Sequence, residues 1–302
     1  MPETTPRPLL YLVDALPYVF RAYFALPDMT SPQGYLVQAV YGFTAFLCQL
    51  LRQEPLTHIA VAFDESLTSS FRNDFFPAYK ANRELPPPDL ARQLAYCQAV
   101  TRALGIAVFV DHQYEADDLI GTLTRQATWE GMPVVIVSND KDLLQLVDAM
   151  VVVYDFAKRV RYDPAGVVTS MGVRSEQIPD LLALQGDPVD NIPGVKGIGP
   201  KTAVALLQAF PNVETLYAQL DGVETLPLRG AGVLRRKLEV GYDTALLSKR
   251  LATIALDAPV SYQSDALRYH GAIASDVERL FTELGFERLL RRIPHWQSPP
   301  LT

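Results

Sequence analysis

Three aspartates, Asp14, Asp64 and Asp140, each follow a continuous apolar run of the sequence. The runs cover residues 9–13, 58–63 and 132–137, and their composition predicts buried parallel strands. In an open α/β sheet, the carboxyl ends of the strands form the edge at which ligands bind. A single aspartate in such a place is often only the N-cap of the next helix. Three of them predict a shared acidic site.

Six further carboxylates are candidates for the same site. They are Glu115, Asp117, Asp118, Asp142, Asp187 and Asp190. The last two are three residues apart, so on a helical turn they lie on one face. Carboxylates about 5 Å apart repel one another by roughly 3 kcal/mol per pair at an effective dielectric constant near 20. A cluster this dense must therefore take up protons or bind cations.

The ligand types indicate which cation this is. Carboxylate oxygens without clustered His or Cys favour Mg²⁺ or Mn²⁺ over zinc, and the four histidines of the chain lack metal-ligand spacing. Two such ions about 4 Å apart polarise a phosphodiester and generate a hydroxide. The predicted reaction is hydrolysis of nucleic acid, with the choice between Mg²⁺ and Mn²⁺ left open.

Residues 186–203 combine two of these acids with a glycine-rich turn. Gly194, Gly197 and Gly199 permit the turns with positive φ that bring backbone N–H groups close to an anion. Pro200 begins a helix well, and the N-terminus of that helix and Lys201 suit a phosphate. The stretch predicts a clamp for the nucleic-acid backbone; the alternative is a solvated loop with two helix-capping aspartates.

Cations and aromatic residues alternate in residues 71–83, directly after the second predicted strand. This composition suits phosphates and unstacked bases. The alternative interpretation is a solvated basic loop.

Composition limits the class of protein. The 302 residues carry a formal net charge of −7, which argues against a nucleic-acid partner at face value. Setting aside the nine acids of the predicted site gives −7 + 9 = +2 for the remainder. Cys48 and Cys97 lie in apolar helical contexts and are expected to be reduced. No run approaches the ~20 apolar residues of a membrane span, so we expect a cytoplasmic protein without a membrane partner.

Strand and helix signals alternate through the first half of the chain, which predicts a mostly parallel sheet with helices on both faces. From residue 175 onward the pattern is helical. We therefore predict an α/β domain over 1–172 and an all-α domain over 173–302. The second contains the helix–turn–helix clamp at 178–210 and a disordered tail at about 294–302.

The motifs together resemble a known family. Gly-Asp-x-x-Asp-Asn-Ile-Pro-Gly-Val-x-Gly-Ile-Gly-x-Lys-Thr-Ala at 186–203 is similar to the helix–turn–helix signature of the 5′ nucleases. These include the flap endonucleases, the bacteriophage 5′-exonucleases and the N-terminal domain of bacterial DNA polymerase I. Ser-x-Asp-Lys-Asp at 138–142 and Phe-Arg-x-x-x-x-x-x-Tyr-Lys-x-x-Arg at 71–83 resemble two more of its motifs. The resemblance covers residues 8–292.

The resemblance implies the fold and the roles of the acids. It implies a PIN-like or resolvase-like α/β domain with a helical arch at about 71–93, followed by a helix-hairpin-helix (helix-3-turn-helix) DNA-binding domain. All nine acids are implied metal ligands, with Asp14 and Asp64 also counted as catalytic. The first ion is expected to use mainly Glu115, Asp117, Asp140 and Asp142, and the second Asp142, Asp187 and Asp190.

The resemblance also implies contacts with DNA. Arg72 and Lys80 are expected to contact the scissile phosphate, and Tyr79 to stack on a terminal base. The implied DNA-binding residues are Arg21, Arg72, Tyr79, Lys80, Arg83, Gly194, Lys196, Gly197, Gly199, Lys201 and Thr202. Backbone carbonyls of Leu184, Gln185, Pro193, Val195 and Ile198 are implied ligands of a potassium ion. The family usually has Gly after the first aspartate, where this chain has Ala15-Leu16-Pro17.

The expected activity is that of a stand-alone, metal-dependent 5′-3′ exonuclease and flap endonuclease, a bacterial-type protein acting as a monomer near the nucleoid in replication and repair. Its expected substrate is DNA with a 5′ flap or 5′ end at a duplex junction. Two alternatives stay open. One is a non-catalytic, structure-specific DNA-binding protein. The other is a PIN-type ribonuclease, which shares the acidic sheet edge but does not need the glycine-rich clamp.

Overall fold

A six-stranded sheet forms the centre of the N-terminal half. The computed structural model describes residues 7–66, 70–83, 86–228 and 230–297. The strands are β1 (Leu10–Asp14), β2 (His58–Asp64), β3 (Ala107–Asp111), β4 (Val134–Val137), β5 (Val151–Asp155) and β6 (Val160–Tyr162). Their order is β3-β2-β1-β4-β5-β6; the first five are parallel and β6 is antiparallel to β5. The predicted mostly parallel sheet is confirmed.

Helices cover both faces of this sheet, as the sequence predicts. They are α1 (Leu16–Ala25), α2 (Gln38–Gln53), α3 (Arg72–Phe75), α4 (Pro88–Ala103), α5 (Ala116–Trp129) and α6 (Pro164–Met171). Side chains alternate along β1, so that Leu10 and Leu12 face the core shared with α5, whereas Tyr11 and Val13 face the core shared with α1, α2 and α4.

Seven further α-helices follow in the described part of the chain. They are α7 (Ile178–Gln185), α8 (Pro200–Ala209), α9 (Val213–Ala218), α10 (Ala231–Val240), α11 (Tyr242–Ala252), α12 (Ser264–Leu267) and α13 (Ala274–Leu284). The core on the α5 face of the sheet continues without interruption into α7, α8 and α11. The glycine-rich stretch lies between α7 and α8, where the sequence predicts the turn of the clamp.

The C-terminal segment packs against the sheet and not against the helices that precede it. Apolar side chains of α13 and of the following turn, from Val277 to Ile293, belong to the core that covers the α2 and α4 face of the sheet. The predicted all-α domain over 173–302 is therefore not a separate body in space. Residues 294–297 of the predicted disordered tail are ordered, since Trp296 pairs with Ala272; the rest of the tail lies outside the described residues.

Two local elements add detail to the predicted order. The sequence patterns assign no element to residues 15–25, where the structure has α1; Pro17 is tolerated there because it lies in the first turn of the helix. Within residues 70–83 the predicted helical arch consists of the four-residue α3 and a series of turns. Residues 84 and 85 lie outside the described residues. The helix α4 begins at Pro88.

The described helices include none that combines the length and apolar character needed to span a membrane.

A substitution at Gly105 tests how closely the C-terminal segment packs against the N-terminal half. Its φ is +76°, and a Cβ there would lie 2.0 Å from the carbonyl oxygen of Gly271. We expect Gly105→Ala to lower the free energy of unfolding by about 3 kcal/mol, because strain and a backbone clash add. Gly131→Ala is the matched control, since φ is +79° but nothing lies within 4 Å. It should cost only about 1 kcal/mol in urea unfolding; equal losses would contradict the close packing.

Candidate metal centre

Three carboxylates converge between the sheet and the helical part. Ligand oxygens of Asp142, Asp187 and Asp190 all lie within 4.8 Å of one another. Asp142 opens a 3₁₀ helix (Asp142–Leu146) after β4, and the other two lie in the loop after α7. These are the three acids that the resemblance assigns to the second metal ion. An all-oxygen set at this spacing fits the ligand chemistry of Mg²⁺ or Mn²⁺.

The loop carrying Asp187 and Asp190 is closed by its own backbone. The N–H groups of Asp187 and Ile192 donate to each other's carbonyl oxygens at 2.9 and 2.8 Å. A Cβ at Gly194 would lie 2.3 Å from the backbone nitrogen of Gly186. Two chain segments therefore approach closely at this point, and only glycine fits, which explains one glycine of the motif sterically.

Three more acids lie at the edge of the sheet, where the sequence places them. Asp14 accepts a hydrogen bond of 2.7 Å from the hydroxyl of Ser138, and Asp64 accepts one of 2.7 Å from the backbone N–H of Ala116. Ser138 also accepts from the N–H of Asp140 at 3.0 Å and so joins two strand ends. Ser138 stands in the Ser-x-Asp-Lys-Asp motif, which is the only sequence signal for this role, and its two partners become evident only in the structure.

Crowding shifts the titration of these acids. Burial and the charge of Asp64 raise the pKa of Asp14 to about 8, and burial and Glu115 raise the pKa of Asp64 to about 6. Burial and neighbouring carboxylates also raise the pKa values of Asp117, Asp140 and Asp142. Each carboxylate opposes ionisation of the next, so that the cluster favours protons or bound cations.

Glu115 lies among cations. It is the N-cap of α5 and forms a reciprocal capping box with Asp118. Its carboxylate pairs with the ammonium of Lys80 and accepts hydrogen bonds of 3.1 Å from both Arg72 and the hydroxyl of Tyr79. Burial alone would lower the pKa of Lys80, but Glu115 and Asp190 outweigh it and raise the pKa.

Asp118 does not share the environment of the other acids. It is fully buried and accepts two hydrogen bonds from Arg72, at 2.7 and 2.8 Å, and two from the backbone N–H groups of Glu115 and Ala255. Its oxygens are thus used within the protein. The predicted metal-ligand role of Asp118 does not fit this geometry, because one of these donors would have to be displaced.

The guanidinium N–H groups of Arg72 are likewise all used within the protein. Besides Glu115 and Asp118 it donates to the carbonyl oxygens of Leu251 at 2.8 Å and Thr253 at 3.0 Å, so that all five N–H groups have acceptors. The side chain is only 3% exposed. The predicted contact of Arg72 with the scissile phosphate does not fit this arrangement. Arg72 instead joins the N-terminus of α5 to the C-terminal end of α11.

Tyr79 also differs from expectation. It is 4% exposed and lies in the core beside Glu115. A base cannot stack on a ring that is covered in this way, so the predicted stacking role does not fit the structure. Lys80 and Arg83, in contrast, both reach the acids: each forms an ion pair with Asp190.

The glycine-rich turn leaves its predicted phosphate site open. A cavity of about 410 Å³ lies at the N-terminus of α8, lined by Gly199, Pro200, Lys201 and Thr202. A Cβ at Gly199 would meet nothing within 4 Å. Lys196 and Lys201 are exposed beside it. Backbone N–H groups, a helix N-terminus and two cations are the elements of an anion site.

The predicted potassium ligands lie around the same turn. The carbonyl oxygens of Leu184 and Val195 each accept one backbone hydrogen bond, at 2.9 and 3.0 Å, which leaves each a second lone pair. Lys237 donates to the carbonyl of Gly197 at 3.2 Å. Potassium binding by Leu184, Gln185, Pro193, Val195 and Ile198 stays a prediction.

Arg21 lies elsewhere. It borders a cavity of about 740 Å³ between α1, α2 and the turn after β5, together with Arg52, Arg159 and Arg292. The acids of the metal centre do not line this cavity. The predicted DNA contact of Arg21 therefore belongs to a different surface from the carboxylates.

Comparison with known proteins identifies the class. The 5′-3′ exonuclease N-terminal resolvase-like domain matches residues 9–172, and the 5′-3′ exonuclease C-terminal SAM fold matches residues 173–274. The chain belongs to the 5′-3′ exonuclease family. The recognition of this family from the motifs is thereby confirmed, as is its enzyme class, that of nucleases, which are hydrolases.

The curated relatives include longer proteins. The chain is 41% identical over 293 residues to DNA polymerase I of Bacillus subtilis and 42% identical over 282 residues to that of Pseudomonas aeruginosa. These matches cover 96% and 93% of this chain. They cover 32% and 31% of the relatives, so the chain spans about a third of their length.

Solved structures share the fold. The D15 protein of bacteriophage T5, co-crystallised with metal ions, aligns over 94% of this chain and 98% of its own, with a TM-score of 0.67 and 22% identity. The catalytic core of Rad2 in complex with a DNA substrate aligns over 95% of this chain and 94% of its own, with a TM-score of 0.60 and 16% identity. At these identities the likeness establishes the architecture.

The raised carboxyl pKa values predict an unusual pH dependence of stability. The native state holds protons on Asp14 up to a pKa of about 8, whereas the ordinary value is 3.8. Between these values the native state binds more protons than the unfolded state, so the free energy of unfolding falls as the pH rises. Without divalent ions we expect a lower melting temperature at pH 8 than at pH 5.5. The difference should correspond to a loss of about 1 to 3 kcal/mol in the free energy of unfolding.

The control for this prediction is Asp14→Asn, which removes the titrating group and should flatten the pH profile. Added Mg²⁺ should stabilise the wild type most at pH 8, where the acids are charged. A wild-type melting temperature that rises from pH 5.5 to pH 8 without metal would contradict the crowding of the carboxylates.

Removing the Arg72 side chain tests its structural role. Arg72→Met leaves the carboxylates of Asp118 and Glu115 without their partner, and breaking a buried ion pair costs about 3 to 5 kcal/mol. The matched control is Arg174→Met. Its pair with Glu176 is exposed and should cost at most about 0.5 kcal/mol. Urea unfolding at pH 7 measures both. Similar small losses would mean that Arg72 is not a structural brace.

Proposed function

We propose that this chain is a metal-dependent 5′-3′ exonuclease and structure-specific flap endonuclease. It cuts DNA phosphodiesters near junctions of single strand and duplex and leaves a 5′-phosphate. The observation that carries the proposal is the convergence of Asp142, Asp187 and Asp190 in a cavity of about 640 Å³. Arg83 and Lys141 border the same cavity, so that it offers both metal ligands and cations for a phosphate.

Six of the acids suit two divalent ions, Mg²⁺ or Mn²⁺. Glu115, Asp117, Asp140 and Asp142 would hold the first, and Asp142, Asp187 and Asp190 the second, with Asp14 and Asp64 behind them. When bound, such ions supply a hydroxide and stabilise the leaving oxygen. The hydrogen bonds that Ser138 and the N–H of Ala116 give to Asp14 and Asp64 fix these two carboxylates at the sheet edge.

The cations and the clamp orient the substrate. The ammonium of Lys80 stays charged among the acids and can offset the charge that develops on the phosphate. The N-terminus of α8, with Lys196 and Lys201, would hold a phosphate of the duplex. Contacts of this kind read the backbone rather than the bases, so binding should be independent of sequence and sensitive to salt.

The partner of the chain follows from this arrangement. We propose DNA with a 5′ flap or 5′ end at a duplex junction, bound by a monomer in a bacterial-type cytoplasm close to the nucleoid. Residues 1–172 would carry out catalysis and residues 173–302 would bind DNA. The C-terminal helix packs back against the sheet. A potassium ion at the turn would add to the phosphate site.

Asp187→Asn provides the direct test. With a 5′-labelled flap duplex and Mg²⁺, the wild type should release short 5′ products, and chelator should abolish them. The variant should cut at least 100-fold more slowly, because one ligand charge is lost, while its affinity for the duplex in Ca²⁺ is retained. Asp257→Asn, which changes an exposed aspartate outside the cluster, is the control and should cut at the wild-type rate.

Two results would replace this proposal. Junction binding without cleavage in either Mg²⁺ or Mn²⁺ would identify a non-catalytic DNA-binding protein. Cleavage of single-stranded RNA without cleavage of flap DNA would identify a PIN-type ribonuclease.

A further inference from the structure

Two loops that are distant in sequence lie against each other beside the acids. Residues 78–83, which carry Lys80, contact residues 187–192, which carry two carboxylates of the metal centre. Asn82 donates to the carbonyl of Pro188 at 2.8 Å, and Arg83 forms an ion pair with Asp190. The position of the Lys80 ammonium therefore depends on how these loops are joined. The inference below rests on the proposed function.

Two hydrogen bonds of opposite direction connect the centres of these two loops. The side-chain amide of Asn191 donates to the carbonyl of Ala78 at 2.6 Å, and the backbone N–H of Lys80 donates to the carbonyl of Asp190 at 3.0 Å. Each loop thus gives one donor and one acceptor to the other. Lys80 and Asp190 are close enough for their side chains to interact as well, at 3.6 Å.

Both central residues have left-handed backbone. Lys80 has φ of 54° and Asn191 has φ of 56°, and they are two of the three non-glycine residues with positive φ in the described ranges. Asn adopts this conformation readily because its short side chain forms local hydrogen bonds, whereas Lys has no such compensation. Lys80 keeps a strained conformation only if its surroundings hold it, and the hydrogen bonds across the two loops supply that restraint.

We propose that Asn191 is a positioning residue. Its amide holds the turn at 78–80, and this keeps the Lys80 ammonium between Glu115 and Asp190, at the place where the phosphate is cut. The same contact makes the position of Lys80 depend on the loop that carries Asp187 and Asp190. Asn191 touches neither substrate nor metal in this scheme and acts through Lys80.

Two substitutions separate the amide from the backbone conformation. Asn191→Gly keeps the left-handed φ and removes the donor, and Asn191→Asp keeps a residue that tolerates this φ but places a carboxylate against the carbonyl of Ala78. Asn212→Ala is the control for general destabilisation. Asn212 caps α9, where its side chain accepts from the N–H of Thr215 at 2.8 Å, far from Lys80 in sequence and in contacts.

The first measurement is limited proteolysis by trypsin, with cleavage after Lys80 followed by mass spectrometry. Lys80 is 9% exposed and should be protected in the wild type. We expect about tenfold faster cleavage after Lys80 in both Asn191 variants and unchanged cleavage there in Asn212→Ala. This readout needs no nuclease activity, so it remains informative even if the proposed function fails.

The second measurement is single-turnover cleavage of a flap duplex, with affinity measured separately in Ca²⁺. The Asn191 variants should cut about tenfold more slowly with unchanged affinity. Adding Lys80→Met to Asn191→Gly should slow cleavage no further than Lys80→Met alone, because both changes act through one ammonium. Unchanged protection of Lys80 in both Asn191 variants, or additive losses in the double variant, would overturn the proposal.

Discussion

Mutual repulsion among carboxylates is the constraint on which the rest of this structure depends. The acids are brought together by parallel strand ends and by one loop, and burial together with the neighbouring carboxylates raises their pKa values. The surrounding protein compensates with hydrogen bonds to Asp14 and Asp64 and with the ammonium of Lys80. Without such compensation a site this acidic would destabilise the fold.

Two sets of contacts link the acidic site to the rest of the molecule. All five N–H donors of Arg72 are used by carboxylates at the N-terminus of α5 and by the carbonyl oxygens of Leu251 and Thr253 at the end of α11. These bonds hold the N-terminus of α5 against the helical part. The loops at 78–83 and 187–192 make the second contact. The sheet and the helices are therefore joined through the site itself, and a continuous apolar core accompanies this junction.

The sequence predicted the strands, the acids and the clamp because these depend on local patterns. Apolar runs ending in aspartate give the sheet edge, and Gly194 is required by a backbone approach of 2.3 Å. The contact partners of individual side chains, in contrast, depend on residues that are distant in the sequence. The sequence showed that Arg72 and Tyr79 lie among cations and aromatics, which suits DNA as well as a buried brace, and only the positions of Asp118 and Leu251 decide between them. The amphipathic pattern of α13 likewise does not say which face of the sheet it covers.

The environment of each basic residue on the surface also depends on its neighbours in space. Three basic residues follow one another on α10, but Arg235 pairs with Asp221, Glu224 and Glu239, whereas Lys237 lies on the glycine-rich turn. Their equal appearance in the sequence conceals different environments. A net charge of −7 conceals the same division between an acidic centre and the cations around it.

The stoichiometry of Mn²⁺ binding tests the central claim most directly, because it reports on the acids without requiring a reaction. Titration of the wild type at pH 8, followed by electron paramagnetic resonance of free Mn²⁺, should give two ions per chain. Asp187→Asn should weaken one of them, and Asp142→Asn, which removes the shared ligand, should weaken both. A wild type that binds no Mn²⁺ at millimolar concentration, or an Asp142→Asn variant that binds two ions as tightly as the wild type, would contradict the account.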